Sequence, residues 1–434
     1  MPSSSSTPSP TVRVIVLNWN AADLTSRCVR SIEDSEQPAG GMDVVIVDNG
    51  SIDGSAEVLA RRHPGHTILR NGANLGFAEG INRALRLPGD GIDFVALVNN
   101  DAVVEPGWLA PLIDTLERHP SAGAAAPMMV FDRWFVEVEL AVGGAGERAR
   151  LTRLTVDGAE RWSQVLCGDG IVRPPHPSVP LRLEIEVADR GTLIVPVPAP
   201  RDGPPVPLTA TLRSDRPVTA RCGRAETHGE PQGGVVSLSL NAAGPPHRRI
   251  NSLGTALTEW CEGYERLLGR PLDHSFEPET VDGFTGGGVL LRSEALDDVG
   301  RFDPRFFMYY EDTDLAWRMR RAGWSTVTAP TSTLYHQLGA TAGSSWPGFF
   351  LLNHRNWLLT VARNGSPTDV RRAVRAAWGN SWPFVRRNVV GKVRRLQRPN
   401  TDIARRWVLV WASTKAALPA TVATRFGGRW RRVG

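Results

Sequence analysis

The chain has 434 residues, 41% of them hydrophobic and 22% charged, which leaves room for a large core and for two or three domains. No window of 18 consecutive apolar residues occurs, so a membrane-spanning helix is not expected, and residues 1–11 lack the basic and apolar regions of a signal peptide. We expect residues 1–11 to be a disordered lead. The four cysteines are scattered without metal-type spacing, which predicts reduced thiols in a cytoplasm.

Positive charge is concentrated at the end of the chain. Residues 370–434 contain 16 Lys and Arg and one acid, a net charge of +15, whereas the whole chain carries +5, so residues 1–369 sum to −10. A strongly basic segment favours an anionic partner. The net negative charge of residues 1–369 argues against binding of nucleic acid along their length.

Short apolar runs alternate with polar turns and helical segments through residues 12–132. Unbroken β-branched runs are typical of parallel strands buried on both faces, and this order predicts an open α/β sheet. The runs are Arg13–Leu17, Val44–Val47, Thr67–Leu69 and Phe94–Val98. Ligands of such sheets bind beyond the carboxyl ends of the strands. The first turn reads Asn18-Trp19-Asn20-Ala21, which excludes both the glycine pattern of dinucleotide-binding folds and a phosphate-binding P-loop.

Asp101 follows the fourth run in the sequence Asn99-Asn100-Asp101 and interrupts apolar sequence at a strand end. A lone carboxylate there is costly unless it is paired or binds a metal. Mg²⁺ or Mn²⁺ held by one carboxylate and the diphosphate oxygens of a ligand suits this position. The alternative is a structural turn closed by the Asp101 side chain.

From about residue 133 to 249 the pattern changes to strict alternation of apolar and polar residues, with Pro and Gly between the runs. Alternation of this kind predicts half-buried antiparallel strands, and about seven of them suggest a β-sandwich inserted into the α/β domain. A structural or acceptor-orienting role of the insert is favoured over carbohydrate binding.

Residues 250–345 return to the α/β pattern. Leu257, Trp260, Tyr264 and Leu267 have helical spacing, and a strand at Val289–Leu291 leads to a short helix ending at Gly300. A second helix begins with Glu311, Asp312 and Asp314, after an aromatic loop that includes Phe302, Phe306, Phe307 and Tyr309. The helix dipole keeps acids of a first turn ionised, so one of them can act as a base. The alternative is that they only cap the helix and that the aromatic residues form core.

Two further stretches complete the chain. A last strand is predicted at Ser325–Thr328, followed by Pro330 and His336, a single histidine that without context is more often packed than a ligand. Residues 346–434 are predicted to be helical, with Arg pairs among tryptophans, as in helices that lie on anionic lipid. A membrane surface is favoured over a solvated basic tail or nucleic acid, which places the protein at the inner face of the cell membrane.

Six stretches together resemble the family-2 glycosyltransferases, and more narrowly the bacterial rhamnosyltransferase and galactofuranosyltransferase type. They are VIVLNWN, VVIVDNGSIDGS, RNGANLGFAEGINRAL, VALVNNDAVVEPGWL, GGGVLLRSEAL and VGRFDPRFFMYYEDTDLAWRMRRAGW. They lie within Val12–Asp132 and Ile250 to about Gly339, and the insert and the basic tail lie outside them. The resemblance implies a GT-A fold, a doubly wound sheet that binds a nucleoside-diphosphate sugar and inverts the anomeric centre.

The resemblance also implies roles for individual residues. The turn from Asn18 to Asn20, together with Asp48, would hold the nucleobase and ribose of the donor. Asn74 and Gly76 would line the nucleotide side of the pocket, and Asn100 would lie at the donor. Asp101 and His336 would bind Mg²⁺ or Mn²⁺, with Asn99 in place of the first acid of the family's D-x-D. Asp312 would be the base, with Glu311 beside it, while Gly287, Gly288 and Trp317 would line the pocket for sugar and acceptor.

The expected donor is dTDP-rhamnose first and UDP-galactofuranose second, and the expected acceptor is a cell-envelope glycan or a lipid-linked sugar. An alternative hypothesis from another functional class is a catalytically inactive carbohydrate-binding or scaffold protein that uses the β-insert. The presence of Asp101, Glu311 and Asp312 argues against it.

Overall fold

The computed structural model describes residues 9–89, 91–161, 164–172, 185–198, 206–242, 245–272, 275–337 and 347–385. The chain forms two compact units. The smaller comprises Val130–Asn251 and Leu267–His274, and the larger comprises the rest. The smaller unit thus begins three residues before the predicted insert of 133–249, ends two residues after it, and adds residues 267–274. The expected disordered lead lies outside the described residues up to residue 8.

The first part of the larger unit alternates strands and helices as predicted. Its elements are β1 (Val12–Asn18), α1 (Ala22–Glu33), β2 (Met42–Asp48), α2 (Ser55–Arg62), β3 (Thr67–Arg70), α3 (Gly76–Leu85), β4 (Phe94–Val98), β5 (Ala102–Val104), α4 (Leu109–Arg118) and β6 (Ala122–Phe131). Strands β3, β2, β1 and β4 are adjacent in that order and pair in parallel. The polar turns after β1, β2 and β4 therefore meet at one edge of the sheet.

Helices cover both faces of this sheet. Alternate residues of β1 point to opposite sides: Val14 packs in one apolar cluster with Cys28 of α1, and Ile15 packs in a second cluster with Ile81 of α3. Such two-sided burial explains the unbroken apolar runs in the sequence. The predicted doubly wound α/β sheet is confirmed.

The second part of the larger unit completes the sheet and adds helices. Its elements are β18 (Ile250–Leu253), β19 (Thr255–Leu257), β20 (Gly263–Glu265), β21 (Thr280–Val281), β22 (Gly288–Arg292), α5 (Ser293–Val299), α6 (Glu311–Ala322), β23 (Ser325–His336), α7 (Pro347–Asn364) and α8 (Pro367–Val385). Strand β22 pairs antiparallel to β4, so the sheet is mixed. Helix α5 ends at Val299, directly before Gly300, the predicted end, whose φ is +80°.

The prediction of a helix around residues 257–267, made from apolar spacing, is wrong. Strands β19 and β20 form an antiparallel hairpin there. Cys261 and Leu267 adopt left-handed φ values of +61° and +59°, which a continuous helix excludes, and the amide of Leu257 donates to the carboxylate of Asp282, 2.9 Å away. The four residues at helical spacing also fit a hairpin that has Cys261 in its turn and Leu267 just after its second strand.

Strand β23 is longer than predicted, because it continues through Pro330 to His336. Proline removes one donor, and β23 pairs on both sides of it, with β21 at Thr326–Val327 and with β5 at Leu334–His336. The register sets His336 opposite Ala102, next to Asp101 in the sequence. The extension is therefore what carries the histidine to the candidate site.

The smaller unit is a β-sandwich, as predicted. Its strands are β7 (Trp134–Val142), β8 (Ala149–Val156), β9 (Ala159–Glu160), β10 (Leu166–Cys167), β11 (Ile171–Val172), β12 (Ile185–Val187), β13 (Arg190–Val197), β14 (Val206–Arg213), β15 (Val218–Cys222), β16 (Ala225–Gly229) and β17 (Val235–Ala242). One sheet has the order β10-β13-β7-β15-β16 and the other β11-β12-β8-β14-β17, with antiparallel pairing. Inward residues of both sheets, such as Val138 and Leu212, share one apolar core.

The C-terminal region is helical in α7 and α8, as predicted, and residues 386–434 lie outside the described residues. Most of the tryptophans and arginines on which the membrane prediction depends fall in that segment. Of the helices that are described, none combines the length and the hydropathy of a membrane span.

Candidate active site

The turns after β1 and β2 are joined by a buried polar network. The amide of Asn18 donates to Asp48 Oδ1 at 2.9 Å and to Ser51 Oγ at 3.1 Å, while its oxygen accepts a bond from Thr25 Oγ1 at 2.7 Å. Asp48 Oδ2 also accepts the amide of Ser51. The predicted donor residues Asn18 and Asp48 therefore contact each other and are held rigidly.

Asn20 lies at the outer end of this network. It has a left-handed φ of +49°, and its side chain accepts the amide of Ile52 at 2.9 Å. A groove of about 530 Å³ opens beside it and is lined in part by Trp19, Asp53 and Arg62. The neighbouring indole of Trp19 is 39% exposed, so a flat apolar surface is available next to the predicted donor turn.

Asn74 and Gly76 are tied to the same strand ends through Asn49, which sequence reasoning missed. Asn49 donates to Asn74 Oδ1 at 3.1 Å and to the carbonyl of Gly76 at 3.0 Å. Gly76 has a φ of +76°, and a Cβ there would lie 2.4 Å from the carbonyl oxygen of Phe307. Only glycine fits where the start of α3 meets the loop before α6. The position of Asn49 directly after Asp48 was the available signal.

Asp101 and His336 face each other, with His336 Nε2 at 3.0 Å from Asp101 Oδ1. Asn99 Nδ2 lies 3.4 Å from the same ring nitrogen. Asn100 points back to the first turn, where its amide donates to Thr25 Oγ1 at 3.2 Å. The described residues contain no group of three or more His, Cys, Asp or Glu side chains that could hold a metal. A metal at this pair would thus take its other ligands from elsewhere, which matches the few protein ligands of Mg²⁺.

The glycine turn before β22 connects this pair to the start of α6. Gly286 donates its amide to Asp312 Oδ2 at 2.9 Å, and the next carbonyl, that of Gly287, accepts the amide of Asn99 at 3.0 Å. A Cβ on Gly287 would lie 3.2 Å from Asn99 Nδ2. Gly286 thus contacts Asp312, and Gly287 contacts Asn99, two residues before Asp101 in the sequence.

Glu311 and Trp317 take different positions. Glu311 is 5% exposed, and its Oε2 has no hydrogen-bond partner among the described residues. Trp317 is five positions beyond Asp312, about 140° around the helix, and packs with Trp357 and Leu358 at 8% exposure. The structure does not bring Trp317 together with the glycine turn, so its role in an acceptor pocket stays a prediction.

Burial changes the protonation of both acids. It raises the pKa of Asp312 above its ordinary value, although the amides of Gly286 and Thr313 oppose the shift. The pKa of Glu311 is raised well above its ordinary value, first by burial and then by the charge of Asp312. The sequence indicated that the helix dipole dominates, but burial outweighs it. A carboxylate with a raised pKa is also a stronger base.

We expect the free energy of unfolding to fall as the pH rises from about 5 to 8, because burial raises the pKa of both Glu262 and Glu265 to about 7. Both side chains are protonated in the fold at pH 5 and ionise in the unfolded chain above its lower pKa, so this stability is lost as the pH passes 7. The loss is on the order of a few kcal/mol in urea unfolding.

The double variant Glu262→Gln and Glu265→Gln should flatten this pH dependence, because glutamine imitates the neutral acid. Glu259→Gln changes an exposed acid near the same hairpin and is the matched control. Curves for the double variant that run parallel to the wild type would show that these two acids do not cause the dependence.

Comparison with known proteins places this site in a family. The model of glycosyl transferase family 2 matches residues 13–141, and that of glycosyltransferase-like family 2 matches residues 272–357. An N-acetylglucosaminyl-diphospho-decaprenol L-rhamnosyltransferase of Mycobacterium tuberculosis is 23% identical over 359 residues, which cover 80% of this chain and 83% of that protein.

Solved structures with a similar course of the chain include two glycosyltransferases. The mannosyltransferase PcManGT from Pyrobaculum calidifontis, in complex with GDP-Man and Mn²⁺, has a TM-score of 0.46 and 14% identity, with coverage of 98% of this chain and 89% of that one. GalNAc-T7 with UDP, GalNAc and Mn²⁺ has a TM-score of 0.45 and 13% identity, with coverage of 82% and 48%.

The two matched segments contain the strand-end residues Asp48 and Asp101 and, in the second half, Asp312 and His336. These are the residues that the glycine turn and the parallel strands bring to one edge of the sheet. Two segments of the chain thus match models of glycosyltransferase family 2, and together with the curated relative they support a family-2 glycosyltransferase of the rhamnosyltransferase type.

Proposed function

We propose that this glycosyltransferase moves a sugar from a nucleoside diphosphate to a hydroxyl group of a cell-envelope glycan or lipid-linked acceptor, with inversion of the anomeric carbon. The observation that carries the proposal is the glycine turn, which contacts Asp312 through Gly286 and Asn99 through Gly287. The turn links Asp312 to the Asn99-Asn100-Asp101 segment, which supports a displacement that needs a base and a diphosphate-binding acid near one carbon.

Asp312 is proposed as the base. As the acceptor oxygen attacks the anomeric carbon, the bond from that carbon to the diphosphate breaks and its electron pair leaves with the phosphate oxygen. The hydroxyl proton passes to the carboxylate of Asp312, whose other contacts, the amides of Gly286 and Thr313, hold it in place. Attack from the side opposite the leaving group inverts the centre.

Glu311 is proposed to stay protonated beside this base. Burial and, after it, the charge of Asp312 raise the pKa of Glu311 well above its ordinary value. One negative charge, rather than two, then lies at the start of α6 at neutral pH. Glu311 thereby concentrates the charge on the residue that contacts the glycine turn.

Asp101 and His336 would hold a divalent ion, Mg²⁺ or Mn²⁺. A carboxylate oxygen of Asp101 and an imidazole nitrogen of His336 lie 3.0 Å apart, a separation that fits two ligands of one ion shared with a diphosphate. An imidazole ligand favours Mn²⁺ over Mg²⁺. When bound, the ion supplies positive charge next to the departing diphosphate.

The nucleotide is proposed to lie against the ends of β1 and β2. The nucleobase and ribose would contact Asn18, Asn20 and Asp48. The other side of the nucleotide pocket would be lined by Asn74 and Gly76, and Asn100 would lie between the turns after β1 and β2. The Asn18–Asp48 bond and the link from Asn100 through Thr25 join these strand ends in one continuous polar network, which supports this proposal.

The donor is proposed to be dTDP-rhamnose, with UDP-galactofuranose as the second choice. The curated relative of Mycobacterium tuberculosis is named as an L-rhamnosyltransferase acting on an N-acetylglucosaminyl-diphospho-decaprenol, which supports both a deoxy-sugar donor and a lipid-linked acceptor. We propose the same class of acceptor for this chain.

The decisive experiment incubates the purified chain with a lipid-linked acceptor, Mn²⁺ and a panel of sugar nucleotides, and detects products by mass spectrometry. We expect nucleoside diphosphate and one glycosylated acceptor from dTDP-rhamnose. Binding of sugars without release of nucleoside diphosphate from any donor would favour a catalytically inactive carbohydrate-binding protein instead.

The basic tail is proposed to attach the protein to the inner face of the cell membrane, where such acceptors are presented. The proposal rests on the charge of +15 over residues 370–434. Full-length protein should sediment with vesicles containing anionic lipid and be released by about 0.5 M salt, because salt screens exposed charges. Equal sedimentation with neutral vesicles would contradict it.

A further inference from the structure

Helix α7 contacts the loop before α6, residues 306–310, through the buried side-chain amide of Asn356. Asn356 is 0% exposed, and its Nδ2 lies 2.8 Å from the carbonyl oxygen of Phe306, 2.9 Å from that of Met308 and 2.8 Å from that of Tyr309. One side chain thus serves three main-chain acceptors of a single loop. Such an amide is costly to remove, because three carbonyls lose their donor.

The orientation of this amide is fixed by its neighbour. Arg355 Nη1 donates to Asn356 Oδ1 at 2.8 Å and to the carbonyl of Arg305 at 2.9 Å. Because the oxygen is occupied by a cation, the NH₂ group is the end that faces the loop. The arginine thereby also contacts the residue just before the loop.

The loop needs such support because its backbone is strained. Phe307, Tyr309 and Tyr310 have left-handed φ values of +63°, +71° and +67°. Each costs a non-glycine residue roughly 1–2 kcal/mol, so the segment persists only when its surroundings hold it.

The loop connects the proposed nucleotide-binding residues with the proposed catalytic base. On one side, the carbonyl of Phe307 accepts the amide of Ala78 at the start of α3, next to Gly76. On the other side, Tyr310 is followed directly by Glu311 and Asp312. A shift of this loop therefore moves Asp312 relative to the glycine turn.

We propose that Asn356 is a positioning residue that holds the strained loop and thereby sets the carboxylate of Asp312 against the Gly286 turn. The inference rests on the proposed function for its catalytic consequence and on the geometry alone for the loop. Asn356 lies on α7, beyond the motifs that contain the proposed base, and its partners are main-chain atoms.

Three variants test this role. Asn356→Asp has the same shape but no donor when ionised, and Asn356→Ser keeps one donor and is the milder change. Thr360→Val is the matched control: Thr360 lies one turn further along α7, is 0% exposed, and its hydroxyl has no hydrogen-bond partner among the described residues.

In transfer assays, we expect the kcat of Asn356→Asp to fall on the order of 100-fold, because a misplacement of about 1 Å at a reacting group has that effect. The Kd for nucleoside diphosphate should change less than about threefold. Asn356→Ser should lie between Asn356→Asp and the wild type, and Thr360→Val should keep wild-type kcat. A general loss of folding would instead lower kcat and binding together.

Hydrogen exchange of residues 306–312 provides the readout that does not depend on activity. Exchange there should rise at least tenfold in Asn356→Asp and Asn356→Ser and stay unchanged in Thr360→Val. Unchanged exchange in both Asn356 variants, or wild-type kcat in a variant with raised exchange, overturns the inference. A wild-type protein that transfers no sugar overturns the proposed function instead, while the exchange measurement still decides whether Asn356 holds the loop.

Discussion

Replacing Asp312 with Asn is expected to lower the kcat for sugar transfer by 100- to 10,000-fold, the usual range for loss of a general base. Asparagine has the same shape, and its oxygen can still accept the amide of Gly286 that Asp312 accepts at 2.9 Å. The fold and the donor pocket should therefore survive. Initial rates with saturating donor and acceptor measure the effect on kcat, and calorimetric titration with nucleoside diphosphate measures donor binding.

The control for this change is Asp297→Asn, which removes a carboxylate from the exposed face of α5. It should leave both kcat and nucleotide affinity as in the wild type. If Asp312→Asn keeps more than a tenth of wild-type kcat, Asp312 is not the base, and a loss of nucleotide binding in parallel with kcat would mean that the change disturbs the site as a whole.

Removal of the divalent ion is expected to have the second large effect. Dialysis against a chelator should abolish transfer, and added Mn²⁺ should restore it more fully than Mg²⁺, because His336 offers an imidazole nitrogen 3.0 Å from Asp101. Asp101→Ala should lower kcat/KM on the order of 1,000-fold, since the diphosphate then leaves without that positive charge.

The matched control is Asp114→Asn on the exposed surface of α4, where the acid only pairs with Arg118. Its activity and its response to Mn²⁺ should equal those of the wild type. Full transfer in the presence of chelator would contradict the assignment of Asp101 and His336, and would mean that the polar turn after β4 stabilises the diphosphate without a metal.

The parts of the fold that sequence reasoning predicted are those with a local physical cause. The apolar runs of β1, β2 and β4 report burial on both faces, and the alternation in strands such as β7 and β14 reports burial on one face. Because parallel strands end at one edge, the convergence of Asn18, Asp48 and Asp101 followed from the order of elements.

The hairpin at residues 255–265 shows where this reasoning fails. Its apolar residues have helical spacing, but Leu257 is held by the distant carboxylate of Asp282 and Trp357 donates its indole N–H to the carbonyls of Trp260 and Cys261. Contacts with residues up to 97 positions away override the local pattern. No window of the sequence contains that information.

The candidate site divides in the same way. Asp312 and the glycine turn are recognisable because they lie in continuous motifs, whereas Asn49 and Asn356 donate to backbone carbonyls of other segments and have no periodic signal. The raised pKa of Asp312 could not be predicted from the sequence either. It depends on burial by surrounding elements rather than on the helix that carries the residue.

The most direct test of the account is a crystal structure of the protein with Mn²⁺ and a nucleoside-diphosphate sugar. We predict the ion at Asp101 and His336 with the diphosphate beside it, the nucleobase against Asp48, and the anomeric carbon facing the carboxylate of Asp312 across the glycine turn. A nucleotide bound away from the ends of β1 and β4, or a sugar on the far side of Gly286 from Asp312, would contradict it.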